Sequence, residues 1–205
     1  MTPIIASLTS QRIARLMREH LRREFVALSK VPLTTRHCVH SCGVYALYYN
    51  GAHPLYGLLK EEACCEIPIY AGVTIGSLDK RLKDHQTSLD YASFDIQAFS
   101  CRIFPTTADL AKSAEDMLIK TYGPIWNQSL SGFGLHNPGK GRAAGKVSNW
   151  DLVHSGRPWV HQPTDAMAKL RLEAALAQTL LARLGALQTQ NNMETESSDS
   201  GPGLP

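Results

Sequence analysis

The chain has 205 residues, 43% hydrophobic and 19% charged, a balance that predicts a packed domain rather than a disordered polymer. No uninterrupted apolar run of about 18 residues occurs, so no membrane span is expected, and the first residues lack the basic-then-apolar order of a secretion leader. Five cysteines at irregular spacing argue against a disulfide framework and for a reducing compartment. The net charge of +3 is a weak pointer to nucleic acid, because distribution matters more than the sum.

The spacing predicts an amphipathic helix over Thr9–Leu28, with Ile13, Leu16, Met17, Leu21 and Phe25 on one stripe. Arg12, Arg15, Arg18, Arg22 and Arg23 crowd the same segment, and two readings stay open: a solvated basic face, or an arm lying along phosphates. Pro32 ends this region. His37, Cys38, His40 and Cys42 invite a zinc reading. The pattern lacks a second pair at chelating spacing, since Cys64 and Cys65 are adjacent, so a loop leading into a strand is preferred.

Gly43–Tyr49 has the β-branched and aromatic content of a strand, with Val44, Ala46 and Tyr48 on one face and Tyr45, Leu47 and Tyr49 on the other. Asn50-Gly51 is a turn signal, and residues 53–66 read as an insert with a helical turn or two. Ile67–Val73 is a second strand. Ser77 caps a helix to about Leu89, which carries Arg81 and His85 four apart on one face. Asp95–Phe104 is a third strand, and a helix then runs to Tyr122 with Leu110, Ala114, Met117 and Leu118 inward and Glu115 beside them. Gly123-Pro124 stops it and Trp126-Asn127 follows. Residues 131–148 are glycine-rich and basic, a loop too long and too aromatic for an inert linker. Ala166–Leu187 is a strong helix former with a seam at Leu170, Ala174, Ala177, Leu181, Leu184 and Leu187. The acidic, Ser/Gly/Pro-rich end reads as disordered. The resulting organisation is an N-terminal helical segment over 1–36, a central domain over 37–160, a C-terminal helix over 161–188 and a tail over 189–205.

Gly43-Val44-Tyr45, Tyr70-Ala71-Gly72, Arg81, Glu115 and Asn127, in that order, resemble the GIY-YIG nuclease superfamily. Valine and alanine stand where the motif has isoleucine. Twenty-four residues separate Tyr45 from Tyr70, wider than the compact family spacing, so the insert must loop out. His85, the loop Gly132-Phe133-Gly134 continued by His136-Asn137-Pro138-Gly139 and Gly141-Arg142, and the later Trp150-Asp151 and His154-Ser155-Gly156-Arg157-Pro158-Trp159 segment resemble one branch, the bacterial type II restriction endonucleases that cut CCGCGG.

The resemblance implies an α+β fold, a small central antiparallel three-stranded sheet flanked by helices, with N- and C-terminal helical additions. It implies a catalytic set of Tyr45, Tyr70, Arg81, His85, Glu115 and Asn127. Glu115 is its one metal carboxylate, for Mg²⁺ with Mn²⁺ as a substitute. Tyr45 is the favoured general base, and His85 is the other candidate because an unperturbed imidazole titrates near neutrality. Guanine edges in the site call for basic side chains. His136, Asn137, Lys140, Arg142 and Arg157 are therefore DNA-binding candidates, with plain phosphate contact as the other reading. Double-stranded DNA is the expected partner, a palindrome implies a homodimer on it, and a bacterial cytoplasm is the expected location. A repair or mobile-element nuclease and a non-catalytic DNA-binding protein are the competing functions.

Overall fold

The computed structural model describes residues 2–60, 65–135, 147–160 and 165–198. In chain order its elements are α1 (Thr2–Ala27), β1 (Val31–Pro32), β2 (Gly43–Tyr49), a 3₁₀ segment (Pro54–Lys60) and β3 (Tyr70–Thr74). These are followed by α2 (Leu78–Tyr91), β4 (Phe99–Pro105), α3 (Ala108–Tyr122), α4 (Ile125–Gln128), α5 (Asn149–Val153) and α6 (Ala166–Ser198). The strands form one antiparallel sheet in the order β1-β4-β2-β3. The three strands expected from sequence are its body, and the two-residue β1 extends the β4 edge.

Every residue of β2 is buried because the strand lies inside the sheet with both faces covered. Its alternation sorts side chains into two cores. Val44, Ala46 and Tyr48 join Leu21 and Phe25 of α1 and Ala114, Met117 and Leu118 of α3. Tyr45, Leu47 and Tyr49 face the other way, toward Leu78, Leu82 and Leu89 of α2 and the aromatic residues Trp126, Phe133 and Trp150. Arg102 of β4 is buried and fully engaged: Nε donates to Leu28 O at 2.8 Å, and Nη1 to Tyr48 Oη at 3.1 Å and Glu66 Oε2 at 2.8 Å. A buried guanidinium is tolerable only when bonded in this way, and here it ties the end of α1 to the sheet.

Four expectations are corrected. Leu110 is 38% exposed and Ala111 is buried in its place, whereas Ala114, Met117 and Leu118 face inward as expected. The seam on α6 is also displaced. Leu170 and Leu181 are exposed, and the helix packs through Leu176 and Leu180, with Leu172 beside them. A coiled-coil spacing was read where a single i, i+4 row meets the domain. The helix continues to Ser198, through residues assigned to a tail, because glycine and proline return only beyond that point. In α1, Leu21 and Phe25 pack while Ile13, Leu16 and Met17 are about half exposed. The basic residues Arg12, Arg15, Arg18, Arg22 and Arg23 are all exposed.

Candidate active site

Tyr45 sits mid-strand in β2, directly opposite Gly72 of β3. The phenol lies across that glycine: a Cβ at position 72 would come within 2.5 Å of Tyr45 Oη, so only glycine fits beneath the ring. Ser77 accepts from Lys80 N and starts α2, which brings Arg81 and His85 over the sheet one turn apart. Tyr45 Oη then lies 2.5 Å from His85 Nε2 and 3.2 Å from Arg81 Nε. Arg81 can only donate, so the phenol's own proton is left for His85 Nε2 or for Tyr70, with which Tyr45 also shares a side-chain hydrogen bond. His85 Nε2 accepts from the phenol when the imidazole carries its proton on Nδ1. Tyr45 is fully buried and His85 is 1% exposed. Burial pushes the Tyr45 pKa well above its ordinary value, Tyr70 adds to the rise, and Arg81 opposes it.

Tyr70 completes the cluster, with its ring centroid 5.4 Å from His85 and 6.3 Å from Tyr45. Burial raises its pKa. Arg81 opposes the rise and the Glu115 carboxylate adds to it, which places Glu115 in electrostatic reach of the site. Glu115 is largely buried, with its side chain 13% exposed. Its Oε2 accepts from Lys112 at 3.0 Å, and Oε1 has no hydrogen-bond partner among the described residues. Asn127 does not point at the cluster. Its Oδ1 accepts from Ala71 N and its Nδ2 donates to Ala71 O, both at 2.8 Å. It therefore holds the outer edge of β3 between Tyr70 and Gly72. A cleft of about 360 Å³ opens beside Arg81 and His85, lined also by Lys80, Asp84, Phe133 and Trp159. A second hollow of about 410 Å³ along residues 73–77 shares Lys80, Arg81 and Asp84 with it.

Arg157 is not placed to read a base. Its side chain is fully buried, and the guanidinium stacks 4.2 Å from the Trp150 ring centroid. Nη1 donates to Gly132 O at 3.0 Å and approaches Asp151 Oδ1 at 3.3 Å, and Nη2 donates to Phe133 O at 2.5 Å. Trp150, Phe133 and Trp159 enclose the guanidinium, and the burial that disfavours its charge is offset by Asp151, the two carbonyls and the ring faces. His136, Asn137, Lys140 and Arg142 lie outside the described residues. Among the described residues no group of three histidine, cysteine or acidic side chains gathers as a metal cluster. His37 instead meets Cys101 Sγ at 3.6 Å.

A family model described as the Eco29kI GIY-YIG domain matches residues 74–180, more than half of the chain. The chain belongs to the Eco29kI GIY-YIG family. No curated protein matches it. The matched stretch contains Arg81, His85, Glu115, Asn127 and Arg157, whereas Tyr45 and Tyr70 precede it. As a member of this restriction-enzyme family the protein is a nuclease, with DNA as its partner. No described helix is long and apolar enough to cross a membrane. In this Eco29kI-type site, sequence reading missed Phe133, whose ring stacks on His85 at 4.6 Å and 16°. It also missed the Gly134 carbonyl, which accepts from Arg81 Nη2 at 2.7 Å. The signal was present as the Gly-Phe-Gly triplet, since a Cβ on Gly134 would collide with Tyr70 Oη.

Proposed function

We propose that this nuclease is a type II restriction endonuclease that hydrolyses one phosphodiester per strand at a short palindrome, CCGCGG. The observation that carries the chemistry is the short contact of Tyr45 Oη with His85 Nε2 under the Arg81 guanidinium. Water attacking phosphorus gives up a proton to Tyr45 Oη while the phenol passes its own to His85 Nε2. The raised pKa of Tyr45 supports such a relay over a standing phenolate. Arg81, and Lys80 at the cleft mouth, neutralise the phosphate. Tyr70 lies in the electrostatic field of both Arg81 and Glu115 and orients water and phosphate oxygen. Asn127 acts by holding β3.

The residues present fit one Mg²⁺. Glu115 offers a carboxylate oxygen with no hydrogen-bond partner among the described residues, and Mg²⁺ is held in many enzymes by one or two carboxylates while keeping its waters. Such an ion, once bound, supplies charge to the phosphate and to the leaving 3′ oxygen. Mn²⁺ would serve as a substitute. The specificity reading rests on the branch resemblance in the loop after Leu135. A palindrome cut on both strands implies a homodimer on DNA.

The test is digestion of a plasmid carrying CCGCGG, with Mg²⁺ and with sequencing of the ends. Discrete cuts at that sequence are expected. Cuts elsewhere would retain the restriction enzyme and discard the site. Glu115→Gln is expected to abolish cleavage and keep binding, and undiminished turnover in that variant would remove the metal assignment.

A further inference from the structure

Three consecutive carbonyls of the turn after α4 are each taken by an arginine. Arg157 donates to Gly132 O and Phe133 O, and Arg81 donates to Gly134 O. Arg157 is itself braced by Asp151, whose Oδ2 accepts from Ser148 Oγ at 2.6 Å. The Ser148 hydroxyl also caps α5 by accepting from Asp151 N at 3.1 Å. Trp150 N donates to Ser131 O at 3.1 Å, one residue before the turn. The segment carrying Trp150, Asp151 and Arg157 thus grips the turn at Ser131, Gly132 and Phe133.

That turn presents two groups to the reacting cluster. The Phe133 ring lies flat on His85 and edge-on to Tyr70, at 4.6 and 4.9 Å between centroids. The Gly134 carbonyl fixes one end of the guanidinium whose Nε reaches Tyr45 Oη. Phe133 thus covers one face of the imidazole that meets Tyr45 Oη.

We infer that Arg157 is a positioning residue for phosphodiester cleavage: by clamping Gly132 and Phe133 it sets the Phe133 ring against His85 and the Gly134 carbonyl against Arg81. This rests on the nuclease reading of the same cluster, and it replaces the role of Arg157 as a DNA-reading side chain. The arginine acts at a distance from the substrate, and its effect reaches the reaction only through His85 and Arg81. Displacing catalytic groups by about 1 Å can cost about 10²-fold in rate, so that is the scale of loss expected on its removal.

The test compares the full-length wild type with Arg157→Met, Arg157→Lys and Phe133→Leu. Three quantities are measured: binding of an uncleaved duplex without divalent metal, single-turnover cleavage with Mg²⁺, and the ring resonances of His85 by NMR across pH. Arg157→Met is expected to bind the duplex as wild type does, to cleave about 10²-fold more slowly, and to shift the His85 resonances as the stacked ring departs. Arg157→Lys, which can keep one carbonyl, is expected to recover part of the rate and part of the shift. Phe133→Leu leaves the clamp intact and is expected to reproduce the resonance shift and the loss of rate; it carries the test if Arg157→Met does not fold. Wild-type cleavage by Arg157→Met or by Phe133→Leu would overturn the inference, as would a loss of rate with His85 resonances unmoved. A loss confined to binding would return Arg157 to the DNA contacts. A wild type that cuts no DNA would instead defeat the nuclease reading, and the His85 resonances would still decide whether Arg157 governs that ring.

Discussion

In the proposed mechanism Tyr45 and His85 act as one unit, because a single proton path joins them. The phenol is buried, its acidity is suppressed, and its Oη lies 2.5 Å from His85 Nε2. Tyr45→Phe removes the first acceptor of the water proton and His85→Ala the second. Each is expected to slow single-turnover cleavage by about 10²–10⁴-fold, the usual reach of general acid–base catalysis. The double variant is expected to be close to the worse single one, because parts of one chain do not add. Additive losses, measured under the same single-turnover conditions, would show that the two side chains act separately. Both residues were legible in the sequence as ordered landmarks, since a strand tyrosine beside glycine and a histidine one turn after Arg81 are local patterns. Arg157 was misread for a related reason. Its charge and its place in a basic loop are local properties, while its burial depends on Trp150, Phe133 and Trp159, which only the fold brings together.

The strand β3 ends the sheet, and an edge strand needs its outward backbone groups covered. Here α4 does that work. Trp126 N donates to Ile69 O at 3.0 Å, and the Asn127 carboxamide pairs with both backbone groups of Ala71. The carboxamide is the one neutral side chain of that length with a donor and an acceptor side by side. Asn127→Leu would leave Ala71 N–H and C=O without partners, at a cost of about 1–3 kcal/mol for each buried group left unpaired. A lowered urea midpoint and faster amide exchange at Ala71 are the expected signs. Unchanged exchange at that amide would mean that water replaces the carboxamide freely. A further loss of cleavage is expected because Tyr70 and Gly72 flank the same residue. At this scale the strands and α2 were readable from alternation and from the Ser77 cap. The face of α6 and the place of Leu110 on α3 were not, because Leu110 and Leu170 satisfy a helical period equally well whether the partner surface lies on one side or a residue away.

A second tyrosine–histidine pair holds distant parts of the chain together. Trp126 Nε1 donates to Tyr56 Oη at 3.0 Å, and Tyr56 Oη lies 2.5 Å from His154 Nε2. The pair joins the 3₁₀ segment, α4 and the residue after α5 across an aromatic core that includes Phe94 and His53. Burial, reinforced by His53, Lys169 and Arg157, pushes the His154 pKa down to about 3 from its ordinary 6.5. The folded state therefore holds this imidazole neutral, whereas the unfolded chain takes up a proton as pH falls below about 6.5. Stability contributed by the depressed pKa is fully present above that value and is lost progressively toward pH 3, with a slope approaching about 1.4 kcal/mol per pH unit. Carboxylates add their own acid dependence at lower pH, so the window between about pH 5 and 6.5 isolates the histidines. His53, also lowered chiefly by burial, contributes there with the same sign. Urea midpoints across this window are expected to fall with pH in the wild type. The fall is expected to be shallower in His154→Gln, a variant less stable at pH 7 because the Tyr56 hydroxyl loses a well-placed acceptor. Parallel pH profiles for the two proteins would show that His154 is not held neutral by the fold, and that this pair does not set the acid limit of the molecule.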